Sequence, residues 1–172
     1  MLVVLAACGG PGPPSLADYR DHVEEAALAH AEEVARLRRD LEEELPAAIE
    51  ALGREDAAAF EREAVETTRR AMLAHLAGVG DADGRLRDAL DAVEPPTAVA
   101  TEHRAFLEAL SVAVEGLPGL LEAVGGATSF EELDAAIAGS VYADARPRIL
   151  AGCRALEAAL ASKGVPADLH CG

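Results

Sequence analysis

The sequence predicts an all-α protein. The expected form is an antiparallel up-down bundle of four main helices, kinked by prolines, with a C-terminal tail stapled back by a disulfide. Three observations carry this expectation. Apolar residues recur at spacings of three and four across most of the chain, the period of a helix with one buried face. Runs of β-branched residues are absent. Glycine and proline fall where a bundle needs its turns. The composition fits: 51% of the 172 residues are apolar but only 3% are aromatic, so Ala, Leu and Val make the core. Fifteen Lys and Arg stand against 31 Asp and Glu, a formal charge of −16. Nucleic-acid binding needs a basic stripe that this composition does not supply, so nucleic acid is excluded as a partner.

The chain opens with an apolar run, residues 1–8, that ends in small residues and a cysteine. It is too short to span a bilayer, which takes about 20 apolar residues. It reads instead as the end of a secretory h-region with its cleavage site. Leu5-Ala6-Ala7-Cys8 resembles the lipobox of bacterial lipoproteins. The resemblance implies that residues 1–7 are a signal-peptide remnant. It further implies that Cys8 carries a diacylglycerol on its thiol and an acyl chain, such as palmitate, on its new amine. The address it implies is the extracytoplasmic side of the cell membrane. No Lys or Arg precedes the run, so the true start is expected upstream, or the chain is clipped. Residues 8–15 then form a Pro/Gly tether that supports neither helix nor sheet. Where it is Pro-rich it extends about 3 Å per residue.

The bundle domain is expected over 16–172. Its first stripe is Leu16, Tyr19, Val23, Ala27, His30, Val34, Leu37, Leu41 and Leu45. A kink or break is expected at Pro46, which removes a donor and crowds the carbonyl of Glu42. Gly53 ends this helix, and Asp56 caps the second. The second stripe runs through Phe60, Ala64, Thr68, Ala71, His75 and Leu76. Gly78-Val79-Gly80-Asp81-Ala82-Asp83-Gly84 reads as a loop, with a short helix after it around Leu86, Leu90 and Val93. Pro95-Pro96 closes that segment.

The third helix is expected from Thr97 along Val99, His103, Phe106, Leu110, Val114, Leu117, Leu121 and Val124, interrupted at Pro118 and stopped by Gly125-Gly126. Thr128 or Ser129 with Glu131 or Glu132 three residues on is a capping box. It starts the fourth stripe: Leu133, Ile137, Val141, then Ile149, Cys153, Leu156 and Leu160. Pro147 is expected to kink or divide this helix, and Gly164 to cap it.

Cys153 and Cys171 form an even pair in an oxidising compartment once Cys8 carries lipid. The helix from Cys153 to Lys163 covers about 15 Å. The tail from Gly164 to Cys171 reaches roughly 23 Å when extended. The tail can therefore fold back along the helix and join the two. Val165 and Leu169 are then expected to cover the nearby core edge.

No catalytic constellation is visible: no phosphate-binding glycine loop, no nucleophile elbow, no His-Glu-x-x-His. The expectation is therefore not an enzyme, and no cofactor. The histidines offer one alternative. His30, His75 and His103 each lie on an apolar stripe. Each falls 22 or 23 residues from the turns at Gly53 or Gly125, about 33 Å along straight helices. The folded-back tail would bring His170 to a similar depth. Imidazoles converging from several helices suit Zn²⁺ or Cu²⁺.

In plan the chain is similar to small all-helical lipoproteins of high-GC bacteria, which join a lipobox, a low-complexity tether and a helical body to a late cysteine pair. Their terminal Cys-Gly matches Leu169-His170-Cys171-Gly172. The resemblance implies a non-enzymatic binding or structural module on the membrane, held by its lipid, with an unspecified protein or small-molecule partner. The alternative is a Zn- or Cu-binding bundle using His30, His75 and His103.

Overall fold

The structure, a computed structural model, describes residues 14–53 and 55–171. Cys8, the expected signal-peptide remnant and most of the expected tether lie outside the described residues. The described chain is all-helical: α1 (Leu16–Glu50), α2 (Ala57–Asp91), α3 (Ala100–Gly126), α4 (Phe130–Ala138) and α5 (Val141–Ser162). None of these helices is long and apolar enough to cross a membrane.

The helix starts follow local chemistry. Ser15 caps α1, its Oγ accepting from the Asp18 N–H at 3.1 Å. Asp56 caps α2 through the N–H groups of Ala58 and Ala59. Ser129 caps α4 through the Glu132 N–H, while the Glu132 carboxylate accepts in return from the Thr128 backbone N–H and hydroxyl. Those bonds, the backbone one foremost, hold the Glu132 carboxyl below its ordinary range. This is the expected capping box. At the far end of α5, Gly164 takes φ +77°. The Val165 N–H reaches the Leu160 carbonyl and the Gly164 N–H reaches that of Ala161, so the last carbonyls find partners before the chain reverses.

Three expectations need correction. The run 78–84 is not a loop: α2 passes straight through it to Asp91, absorbing the separate short helix expected around Leu86. Packing decides this against glycine's low helix propensity. A Cβ on Gly80 would lie 2.0 Å from a Leu117 methyl of α3, and one on Gly78 would lie 2.8 Å from a Leu37 methyl of α1. The glycines let α2 sit close to both neighbours. Secondly, the prolines do not divide helices. Pro46, Pro118 and Pro147 lie inside α1, α3 and α5, and the fourth helix divides instead at Gly139-Ser140. Ser140 caps the new start, its Oγ accepting from Ala143. The break resets the stripe, so Val141 is 56% exposed and Tyr142 is buried in its place. Thirdly, α3 starts at Ala100 rather than near Thr97, after a turn closed by Val99 N–H to the Pro96 carbonyl.

The topology is up-down-up-down. α1 packs on α2, α2 on α3, and α3 on α5, with α4 capping the end of α3. Two apolar clusters fill the interior. The tether-side cluster joins all four long helices and the tail: Tyr19, Val23, Leu90, Phe106, Leu156 and Leu169 are its centre. The second gathers Val79, Leu120, Val124, Leu133 and Tyr142. The disulfide joins Cys153 to Cys171, with a Cα–Cα distance of 5.8 Å. Leu169 is buried by it as expected, while Val165 is only half-buried. Glu24 of α1 and Glu157 of α5 accept from the backbone N–H groups of Asp168 and Leu169. The tail thus straps α5 to α1.

The helices do not end together. Arg69 of α2 donates to the carbonyls of Gly125 and Ala127 at the end of α3. Twelve residues of α2 precede Arg69, so the α1–α2 hairpin runs about 18 Å beyond the turn after α3.

Candidate functional site: a groove backed by a buried carboxylate

The uneven helix ends decide where the histidines fall. In the structure His30 faces Asp83. His75 donates through Nδ1 to the Leu37 carbonyl at 3.2 Å. His103 lies against Tyr19, its Nδ1 2.8 Å from the phenol oxygen. Measured along α1, the levels of residues 19, 30 and 37 are about 16 Å and 10 Å apart. His170 is exposed on the tail, 3.5 Å from Asp168. The expected single layer is therefore not formed. The count assumed that α1 and α2 pair symmetrically about Gly53 and that the turns at Gly53 and Gly125 are level. Instead α2 is displaced along α1, so that His30 meets Asp83 and His75 meets Leu37, and the turn after α3 is offset from both helix ends. Among the described residues, no group of three or more His, Cys, Asp or Glu is placed to hold a metal ion.

The structure instead makes two separate polar connections. The first is Tyr19–His103, sealed in the tether-side core. Tyr19 is fully buried and His103 is 3% exposed. Burial pushes the His103 imidazole below its ordinary range, against a smaller opposing pull from Asp91. Burial also pushes the Tyr19 phenol well up. Both groups stay neutral and satisfy each other.

The second connection was not legible as a site. Asp83 is fully buried. Its Oδ1 lies 2.7 Å from His30 Nε2, and its Oδ2 accepts from the Tyr142 hydroxyl at 2.7 Å. One carboxylate of α2 therefore ties α1 to α5. Burial, and then the adjacent Asp83, push the Tyr142 phenol up and keep it a donor. Sequence reasoning missed this because it placed Asp83 in a loop and Tyr142 off the stripe. One signal existed. Read as helix, Val79, Asp83, Leu86 and Leu90 keep a helical period, and Asp83 is the polar residue in it.

His30 is not sealed: its side chain is 19% exposed. It lines an open groove between α1 and α2 with a volume of about 480 Å³, within the range of small-ligand sites. Ala26, Ala29, Ala82 and Leu86 form the floor, and His22, Glu25, Glu33 and Arg85 the rim. His22 Nε2 lies 3.0 Å from the Ala89 carbonyl. A carbonyl only accepts, so this nitrogen carries the proton. His30 Nε2, facing a carboxylate, carries one likewise. Among the described residues, no hydrogen bond engages Nδ1 of either ring. Glu33 is committed to Arg36 and lies 3.7 Å from Arg85. The Arg36 bond holds its carboxyl below the ordinary range. Glu25 has no ion-pair partner among the described residues.

Comparison with protein-family models, curated proteins and solved structures finds no match to this chain.

Proposed function

We propose that this chain is an extracytoplasmic bacterial lipoprotein, anchored through lipid on Cys8, whose helical body is a non-enzymatic binding module. The groove between α1 and α2 is its binding face. The observation that carries the binding half is the His30–Asp83–Tyr142 connection. Burying a carboxylate costs several kcal/mol before its partners offset it, and apolar residues of similar volume serve stability as well or better. A bundle required only to be stable has no need of it. Here the buried carboxylate holds a histidine that is itself partly exposed and lines a groove. The anchoring half is supported by Leu5-Ala6-Ala7-Cys8 and the Pro/Gly tether. α1 begins directly after that tether, and His22 stands six residues into it. The groove therefore opens on the anchored half of the body.

Two measurements test the two halves. Cys8→Ser is expected to release the protein from the membrane fraction or to leave an uncleaved precursor. Unmodified Cys8 in mature protein from its native host would overturn the anchor. A photo-crosslinking side chain at Ala29, on the groove floor, is expected to give a discrete adduct in the native envelope. The same group at exposed Ala58 should give none. Equal labelling, or none at Ala29, would remove the groove as the binding face.

A further inference from the structure

We propose that the C-terminal tail is a redox-released plug. Cutting Cys153–Cys171 frees residues 164–171 and opens an apolar seam between α1 and α5, while the rest of the bundle stays folded. The inference depends on neither the groove nor the lipid anchor.

The packing order makes the seam. α1 packs on α2, α2 on α3 and α3 on α5, so α1 and α5 stand at the two ends of the row. The tail lies between them. Ala167, Leu169 and Cys171 join Tyr19 and Val23 of α1 and Leu156 and Leu160 of α5 in one apolar cluster. Leu169 is 3% exposed. The tail is therefore a wall of the core, built from a short segment without helix.

Its attachments besides the disulfide are few. Glu24 of α1 and Glu157 of α5 accept from the Asp168 and Leu169 N–H groups, and Arg20 donates to the Pro166 carbonyl at 3.4 Å. The bonds of Glu24 and Arg20 lie at exposed positions, where water competes for the same groups. Against them stands His170, at φ +51° the one non-glycine residue with left-handed backbone among the described residues. A side chain in that conformation costs free energy that glycine escapes. The link at Cys171 holds the strained residue in place. Without it, the tail gives up one buried leucine and regains its conformational freedom.

The bond is open from one side. Cys153 is 5% exposed, whereas Cys171 is only partly buried. A dithiol reductant, the chemistry of thiol–disulfide oxidoreductases, therefore attacks Sγ of Cys171. Its thiolate forms a mixed disulfide there, the Cys153–Cys171 bond breaks, and Cys153 leaves as a thiolate that takes a proton. The second thiolate of the reductant attacks the reductant's own sulfur in the mixed disulfide, and Cys171 leaves in the same way. Two electrons and two protons pass to the chain, and the reductant departs as a disulfide. α5 keeps its packing on α3 and its Tyr142–Asp83 bond, so the seam opens and the bundle does not.

Dithiothreitol titration of the purified full chain, without denaturant, tests this. Complete reduction is expected with helical circular dichroism unchanged. Exchange of the Leu169 amide should rise about a hundredfold. Nile red, a neutral apolar dye, should gain about fivefold in fluorescence as the seam takes it up. Reoxidation should reverse both changes. The double variant Cys153→Ser/Cys171→Ser should show the reduced chain's exchange and dye signal with or without dithiothreitol. A bond that resists dithiothreitol until the chain unfolds overturns the proposal. So does a reduced chain whose Leu169 amide stays protected, because the tail is then seated without its link. Loss of helical signal on reduction, or in the double variant, overturns it in favour of a purely structural staple. A dye response to dithiothreitol in the double variant overturns it too, since the signal then arises outside this disulfide.

Discussion

The two buried polar connections use similar residues to opposite ends. Tyr19–His103 lies deep in the tether-side core, under the disulfide-strapped tail, and both members are neutral. His30–Asp83–Tyr142 lies about 16 Å further along α1, holds a buried carboxylate, and includes a partly exposed histidine that lines a groove. A neutral pair that satisfies itself does little more than specify which helices meet. A carboxylate that needs two donors from two other helices is a costlier arrangement, and its cost goes into fixing a partly exposed imidazole. The difference teaches where to look for function in a bundle that lacks a catalytic motif: at the polar connection that is not closed.

The comparison can be broken most forcefully at Asp83. Asp83→Ala removes the shared acceptor and strands the Nε2 of His30 and the hydroxyl of Tyr142. The expected loss is about 3–5 kcal/mol, measured by denaturant unfolding. A loss below about 1 kcal/mol would mean that water already satisfies these groups and that the connection is not a rigid one. The next effect is on the seal of the other connection. Cys171→Ser frees a tail closed by a link of sequence separation 18, expected to cost about 3 kcal/mol. It should also raise amide exchange around Tyr19 and His103 and leave the Asp83 region protected. Loss of protection in both regions alike would show that the two connections unfold as one unit.

Tyr19→Phe is milder. It removes one neutral hydrogen bond and leaves His103 Nδ1 without its partner, an expected cost of about 1–2 kcal/mol. It should be clearly smaller than the Asp83 effect, and an equal effect would erase the distinction drawn here. The smallest effect is a slope. His103 is held below its ordinary range by burial, with Tyr19 of α1 against it and Asp91 of α2 as the opposing charge. A histidine depressed in the folded state binds fewer protons there than in the unfolded chain. Its contribution is therefore complete above the unfolded value of about 6.5 and is lost progressively as pH falls below it. Melting temperature should decline through this window less steeply in His103→Gln than in the parent chain. Identical slopes would show that His103 is not the group responsible.

Much of this fold was legible in the residues. The apolar period announced helices because it depends only on neighbours three and four apart. Ser129 with Glu132, Asp56 and Gly164 marked helix ends because capping is a local bond between a side chain, or a left-handed glycine, and the nearest free backbone groups. The Cys153–Cys171 link followed from helix rise and tail reach, two lengths that barely depend on context. Tertiary structure alone decided the rest. Gly78 and Gly80 looked like loop residues until α1 and α3 were seen to need the space their side chains would fill. Pro147 looked like the divider until Ser140 supplied a cap seven residues earlier, which turned Val141 outward and Tyr142 inward. The levels of His30, His75 and His103 depended on the register of α2 against α1 and on the offset of the turn after α3, which no local period records. Asp83 acquired its meaning only when α1 and α5 each brought a donor to it. Local bonds are written in consecutive residues; the register between helices is a sum of packing distances, and it is there that the groove and its buried carboxylate were made.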